Sequence, residues 1–171
     1  MNLAHNRRAL AVGTALTLLV APAAAAAKSH NARTSRHPRP GAGYVGTSSE
    51  KAGKLGLPVA LRVSPNGKVM TRFDIQWSSA CQSATGRGSY GGLSITVNKN
   101  IASNGTFGDS GSFSRDFGGG STGVFKVALA GHFNSPRAAA GTFRVSVVVT
   151  DASGKQTDAC DSGSINWVVF D

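Results

Sequence analysis

From Tyr44 onward apolar and polar residues follow a period of two, the spacing that puts alternate side chains on opposite faces of a β-strand. Val59, Leu61 and Val63 alternate with Ala60, Arg62 and Ser64, and Pro65-Asn66-Gly67 then supplies turn chemistry. Beyond the turn, Val69, Phe73, Ile75 and Trp77 share one face while Lys68, Arg72, Asp74 and Gln76 share the other, as in a sheet with one wetted side. Asn66-Gly67 between two such runs is the strongest hairpin signal in the chain. Further strands are expected at Leu93–Val97, Phe125–Phe133, Thr142–Thr150 and Ile165–Phe170. Helical spacing sustained over three turns is missing. The alternation predicts burial for Phe73, Ile75, Trp77, Leu129, Phe143, Val145, Val147 and Trp167.

A weak echo runs through the second half. Gly105-Thr106-Phe107, Gly111-Ser112-Phe113, Gly131-His132-Phe133 and Gly141-Thr142-Phe143 each place glycine two residues before phenylalanine, on the same face of a strand. Glycine there permits a bend or bulge, and the ring can fold over the space its missing side chain leaves. The spacing is irregular, so this describes a meander of hairpins and not a solenoid.

Ahead of the alternating region the composition changes twice. Arg7 and Arg8, the uncharged run Ala9–Val20, and Pro22 followed by Ala23 to Ala27 are the three parts of a signal peptide, with cleavage expected after Ala27. The apolar run is too short for a bilayer span, which needs roughly 20 residues, and no comparable run follows. Arg7-Arg8-Ala9-Leu10 also resembles a twin-arginine signal, although the general secretory route ranks ahead of it. Losing the leader lowers the net charge from +10 to +8. Residues 28–42 then read as a flexible basic linker, with Lys28, Arg33, Arg36 and Arg39 as candidate contacts to an anionic partner. A passive solvated linker is the plainer reading and ranks first. From Gly41 onward 12 basic residues face 8 acidic ones, an ordinary surface.

Cys81 and Cys160 are the only cysteines, and in an oxidising compartment they are expected to form a disulfide. Neither has a Cys or His neighbour at metal-ligand spacing. Trp77 precedes the first cysteine, which speaks against an immunoglobulin-type bridge.

Several short motifs invite chemistry. Gly108-Asp109-Ser110-Gly111 spells the tetrapeptide around a chymotrypsin-like nucleophile, but that triad needs a histidine ahead of the serine, and His30 and His37 lie in the linker while His132 follows it. Gly119-Gly120-Ser121-Thr122-Gly123 has the spacing of a nucleophile elbow, and Gly86-Arg87-Gly88-Ser89-Tyr90-Gly91 that of a dinucleotide fingerprint; neither is followed by a helical pattern. With 22 glycines in the chain, chance matches of this kind are expected, and loops are the preferred reading. Asp109 and Asp116, placed in glycine-rich loops, and Asp158 and Asp161, flanking Cys160, are read as turn residues, with no ligand series for calcium. Trp77 and Trp167 fall on inward faces, leaving Tyr44 and Tyr90 as the expected exposed rings.

The Gly-Tyr-Val-Gly-Thr-Ser strand from Gly43, the run Trp77-Ser78-Ser79-Ala80-Cys81, the Gly-x-Phe elements, Ala140-Gly141-Thr142-Phe143 and the closing Cys160-Asp161-Ser162-Gly163-Ser164-Ile165-Asn166-Trp167 belong together. Over Gly43–Asp171 the chain resembles a group of small secreted β proteins common in actinobacteria. The resemblance implies export, the disulfide and an all-β fold, and it transfers no functional residue.

These readings give a leader over 1–27, a basic linker over 28–42 and one all-β domain over 43–171. The domain is expected to be an antiparallel β-sandwich or partly closed β-barrel of about eight to ten strands with one disulfide, the sandwich ranking slightly ahead. No catalytic, cofactor or metal site emerges. The expected function is that of a secreted or envelope-associated, non-enzymatic binding module whose partner is an anionic cell-envelope polymer or a protein, with nucleic acid ranked behind both. The alternatives are a secreted hydrolase using a site in the glycine-rich loops, or a protein-binding effector or inhibitor. Amino-terminal sequencing of protein collected outside producing cells should begin at Lys28; an exported form that keeps Met1 would remove the leader from this account.

Overall fold

The computed structural model describes residues 36–52, 54–83 and 89–171. The leader, Lys28, Arg33 and the Gly86–Gly88 part of the glycine-rich motif lie outside the described residues, as does the side chain of Tyr90. Everything described belongs to one compact unit, Arg33–Asp171.

Among the described residues nine strands follow one another: β1 (Gly43–Ala52), β2 (Leu55–Val63), β3 (Val69–Cys81), β4 (Ser89–Asn100), β5 (Thr106–Gly118), β6 (Ser121–Ser135), β7 (Ala138–Thr150), β8 (Gln156–Asp161) and β9 (Ile165–Phe170). The expected hairpin joins β2 to β3. Its turn carries Gly67 at φ 72°, while the Asn66 carboxamide oxygen accepts the Lys68 amide at 3.0 Å. All pairings are antiparallel, and β1, β2, β3, β8, β7 and β9 close into a six-stranded barrel. Of the two expected architectures the barrel is the one found, and its ring is fully closed, with three strands added outside it.

Closure depends on two long strands that change partners along one edge. β3 pairs with β2 over Met70–Ile75 and then with β8 over Ala80 and Cys81. β7 pairs with β9 over Ala138–Phe143 and then with β8 from Ser146 to Thr150. The β3–β8 junction is the thinnest in the ring, two register pairs, and one of them is Cys81 opposite Cys160, joined by the disulfide. A bond closing a loop of sequence separation 79 stabilises the fold by roughly 4 kcal/mol on the chain-entropy estimate.

The other edges of β3 and β7 carry the added strands. β4 pairs along β3, β6 pairs along β7, and β5 pairs along β6. β5 was foreseen only in its two Gly-x-Phe elements and not as one continuous strand. Asp109 and Asp116, expected in loops, lie on it, because β6 provides a hydrogen-bonding ladder for a Gly- and Ser-rich segment with little alternation of its own. The Gly119 region is a hairpin turn, with Gly118, Gly119 and Gly120 at positive φ and Ser121 opening β6.

Of the eight residues expected inside, Phe73, Ile75, Trp77, Leu129, Phe143, Val145 and Trp167 are buried. Val147 is half-buried instead, because it stands beyond the dense core on the wall of a cavity near the disulfide. Tyr44, expected to be exposed, is completely buried, with its ring edge-on to Phe133 at 5.4 Å.

Rings do cover glycines, but across strands and not along one. Phe107 is opposite Gly131, Trp77 opposite Gly91 and Trp167 opposite Gly141 in the register. A Cβ on Gly91 would lie 2.5 Å from the Trp77 ring, and one on Gly141 would lie 2.0 Å from the Ala130 carbonyl and 2.6 Å from Trp167. Gly111, by contrast, has open space around it. Gly141→Ala should therefore cost on the order of 2–3 kcal/mol or prevent folding, whereas Gly111→Ala should stay within about 0.5 kcal/mol of the parent. Thermal denaturation giving equal midpoints for the two variants would refute this account of ring-over-glycine packing.

Candidate functional site

β4 and β5 end the sheet order, so among the described residues each has one edge without a strand partner. Alternation puts Leu93 and Ile95 of β4 and Gly111 and Phe113 of β5 on inner faces, opposite each other. Between them lies a cleft of about 400 Å³ floored by Val127 and Leu129 of β6. Toward the disulfide a second cavity, of about 320 Å³, is lined by Trp77, Arg115, Phe117, Phe125 and Val147. Phe113 stacks on Phe125 at 4.8 Å and Phe117 meets Phe125 edge-on at 6.1 Å. Phe113 and Phe117 nevertheless keep 41% and 49% of their surface exposed, so the cleft has an apolar, partly wetted wall. At the far end Lys99 of β4 and Asp109 of β5 form an ion pair at 2.9 Å.

The catalytic motifs do not assemble. Ser110 is exposed on the outer face of β5, and Asp109 beside it points inward; the Ser110 amide donates to the Asp109 carboxylate at 2.9 Å. His132 pairs with Thr106 while Ala128 pairs with Ser110, which separates His132 from the serine by four positions, about 13 Å along a strand. His37 is exposed near the start of the described chain, and Ser121 pairs with Gly118 at the hairpin turn.

The carboxylates have structural partners. The Ser83 hydroxyl and amide donate to Asp158 and hold its carboxyl below the usual range. Arg144 donates to Asp161 at 2.7 Å with the same effect. Cys81, Asp158 and Cys160 cluster within 4.8 Å, but the two sulfurs are bonded to each other and offer no thiolate.

Comparison with protein-family models, known proteins and solved structures finds no match. The reading of the site therefore stands on its own geometry.

Of the four cations expected to meet an anionic partner, two are described. Arg36 is exposed, and its carbonyl lies close against Gly105. Arg39 is tied into the domain: its amide donates to the Tyr44 hydroxyl at 3.0 Å and its guanidinium to Asp171 at 2.7 Å. The Tyr44 hydroxyl donates in turn to the Pro136 carbonyl at 2.7 Å, and burial raises its pKa. Pro38 is buried as well, so the last residues assigned to the linker are packed on the barrel.

Deleting residues 28–35 should leave the melting temperature unchanged, while deleting 28–40 should lower it, because the longer deletion removes Pro38 and the Arg39 contacts. Retention of the full-length protein on anionic envelope material should exceed that of either deletion at 0.1 M salt. The difference should vanish at 1 M, where the Debye length falls from about 10 Å to about 3 Å. Equal retention of all three forms across the salt series would leave the arm without a binding role.

Proposed function

We propose that this protein is an exported, non-enzymatic binding module, akin to the small secreted β proteins it resembles, and that it takes an extended segment of a protein partner at the β4–β5 cleft. One observation carries the reading: an apolar groove lies between two strand edges that have no partner in the fold. In strand addition, backbone hydrogen bonds to a free edge provide affinity, and pockets for alternate side chains provide selectivity. Leu93, Ile95, Phe113 and Val127 offer such a lining, and the free edges supply the backbone donors and acceptors. The position of Ser110, on the outer face and far from His132, argues for binding over hydrolysis.

Panning a random-peptide phage library on the mature domain should enrich peptides with apolar residues at every second position. Phe113→Ser should weaken their binding at least about tenfold, equivalent to 1.4 kcal/mol, while near-UV circular dichroism shows that the domain stays folded. Labelling by a serine-reactive probe that is abolished by Ser110→Ala or Ser121→Ala would overturn the proposal in favour of a hydrolase. So would enriched peptides indifferent to Phe113→Ser, which would put recognition elsewhere.

A further inference from the structure

We infer that β5 also pairs with β5 of a second copy of this chain, edge to edge about a two-fold axis at Ser112. A second copy would take the same β5 edge that the cleft reading gives to a peptide, so the two exclude each other there; chain mass tests this pairing and peptide enrichment tests the other, and the failure of one is seen apart from the failure of the other.

The first step is which backbone groups of β5 face its free edge. Gly105 turns its carbonyl toward β6, where it accepts the Phe133 amide. Thr106 turns the other way, its carbonyl accepting the Ala102 amide and its amide donating to Asn104. Because strand amides alternate, the even-numbered residues of β5 face outward. The amide of Ser110 fits this parity, since it donates to the neighbouring Asp109 and not to a strand. Ser112 and Ser114 follow it on the exposed part of the edge.

The second step is the sequence of the edge. Read in opposite directions from Ser112, the strand is complementary to itself: Gly111 meets Phe113, Ser110 meets Ser114 and Asp109 meets Arg115. An antiparallel pair centred there sets Ser112 opposite Ser112, where two backbone bonds are exchanged, and Ser110 opposite Ser114, where the Ser114 amide donates to the Ser110 carbonyl while the Ser110 amide stays with Asp109. The Gly111–Phe113 and Asp109–Arg115 pairs then take the positions at which side chains lie closest. Ring over cross-strand glycine is the arrangement this fold already uses at Trp77–Gly91, Phe107–Gly131 and Trp167–Gly141.

Charge complementarity selects both the partner and the register. Arg115 is exposed and enters no ion pair within the described residues. Asp109 uses Oδ1 for Lys99 and for the Ser110 amide, which leaves Oδ2 to accept a guanidinium. Moving the axis by one or two residues in either direction sets Asp109 opposite glycine or phenylalanine and leaves both charges unmatched. Inward-pointing charges normally protect an edge from pairing. A complementary pair placed symmetrically about one residue instead admits one partner, a second copy, by an isologous contact. Lys99 bounds the pairing at Asp109, so it spans Asp109–Arg115 and seats the partner strand at the mouth of the cleft.

Sedimentation equilibrium of the mature protein should give twice the chain mass at high micromolar concentration. Arg115→Asp sets two carboxylates opposite each other at both ends, and Ser112→Pro removes the central donor; each should raise the dissociation constant at least about tenfold. Asp109→Arg should do the same. An equimolar mixture of Arg115→Asp and Asp109→Arg chains should recover dimers containing one chain of each, because both charge pairs are restored. Near-UV circular dichroism checks that the variants fold, and Arg115→Asp, which breaks no ion pair among the described residues, carries the test should Asp109→Arg fail to fold. A wild-type protein that stays monomeric at millimolar concentration would overturn the inference. So would dimers insensitive to Arg115→Asp, or a β5 edge found occupied by a different protein while the chain itself is monomeric.

Discussion

A barrel needs every strand of its ring paired on both sides, and in this chain the demand is hardest to meet between β3 and β8, where Ala80–Asp161 and Cys81–Cys160 are the only register pairs. Two pairs of residues make a weak ladder, since short two-stranded contacts are marginal in water. The disulfide lies on the second pair and converts a junction that would fray into a covalent one. Neighbouring contacts act in the same place: the Gln82 amide donates to the Ala159 carbonyl at 2.9 Å, and the Ser83 amide to Asp158 at 3.0 Å. Without this junction β8 would keep its pairing with β7 alone, and the far end of β3 would become an open edge.

Closure also determines what is left over. β3 and β7 each give one edge to the ring and have a second edge to spare, and β4 and β6 take those. β5 then extends β6. Because strands twist, the two extensions come round toward each other with their apolar faces inward, and the Lys99–Asp109 ion pair joins them at one end. The cleft is the gap that remains. Its polar outer surface and apolar inner wall follow from the same alternation that builds the core, carried past the point where the sheets are close enough to fill the space with side chains.

The β2–β3 hairpin was legible because its information is local: an Asn-Gly turn between two alternating runs needs no distant partner to be recognised. The inward faces of β3, β7 and β9 were legible for the same reason. β5 was not, because its inner row reads Phe107, Asp109, Gly111, Phe113, Arg115 and Phe117, with charges and a glycine where alternation calls for apolar residues. Its strand conformation comes from β6. Tyr44 was misplaced because the partner that satisfies its hydroxyl, the Pro136 carbonyl, is 92 residues away. The attachment of Arg39 to Asp171 spans 132 residues and left no local trace. The catalytic tetrapeptide was set aside for want of a histidine ahead of the serine, and the strand adds a second reason, since period-two geometry sends Asp109 and Ser110 to opposite faces.

The cleft and the β5 edge belong to the part of the molecule with the least burial to hold it. Within β5 only Phe107 is buried and Asp109 half-buried, while Ser110 to Gly118 are exposed throughout; β9, inside the ring, alternates between buried and accessible positions along its whole length. Local opening free energies follow buried apolar contact, so the β5–β6 hairpin tip should open far more readily than the ring. What keeps its inner face ordered is the aromatic contact: Phe113 lies flat on Phe125, and Phe117 covers Gly123, where a Cβ would come within 2.5 Å of the ring. The rings are thus held in place by a glycine and by one another, without the dense packing that would bury them. An edge that is conformationally soft along its backbone, yet carries preordered rings, can adjust its register to an incoming strand while losing little side-chain entropy on contact. The disulfide-closed ring behind it supplies the rigidity that such an edge lacks.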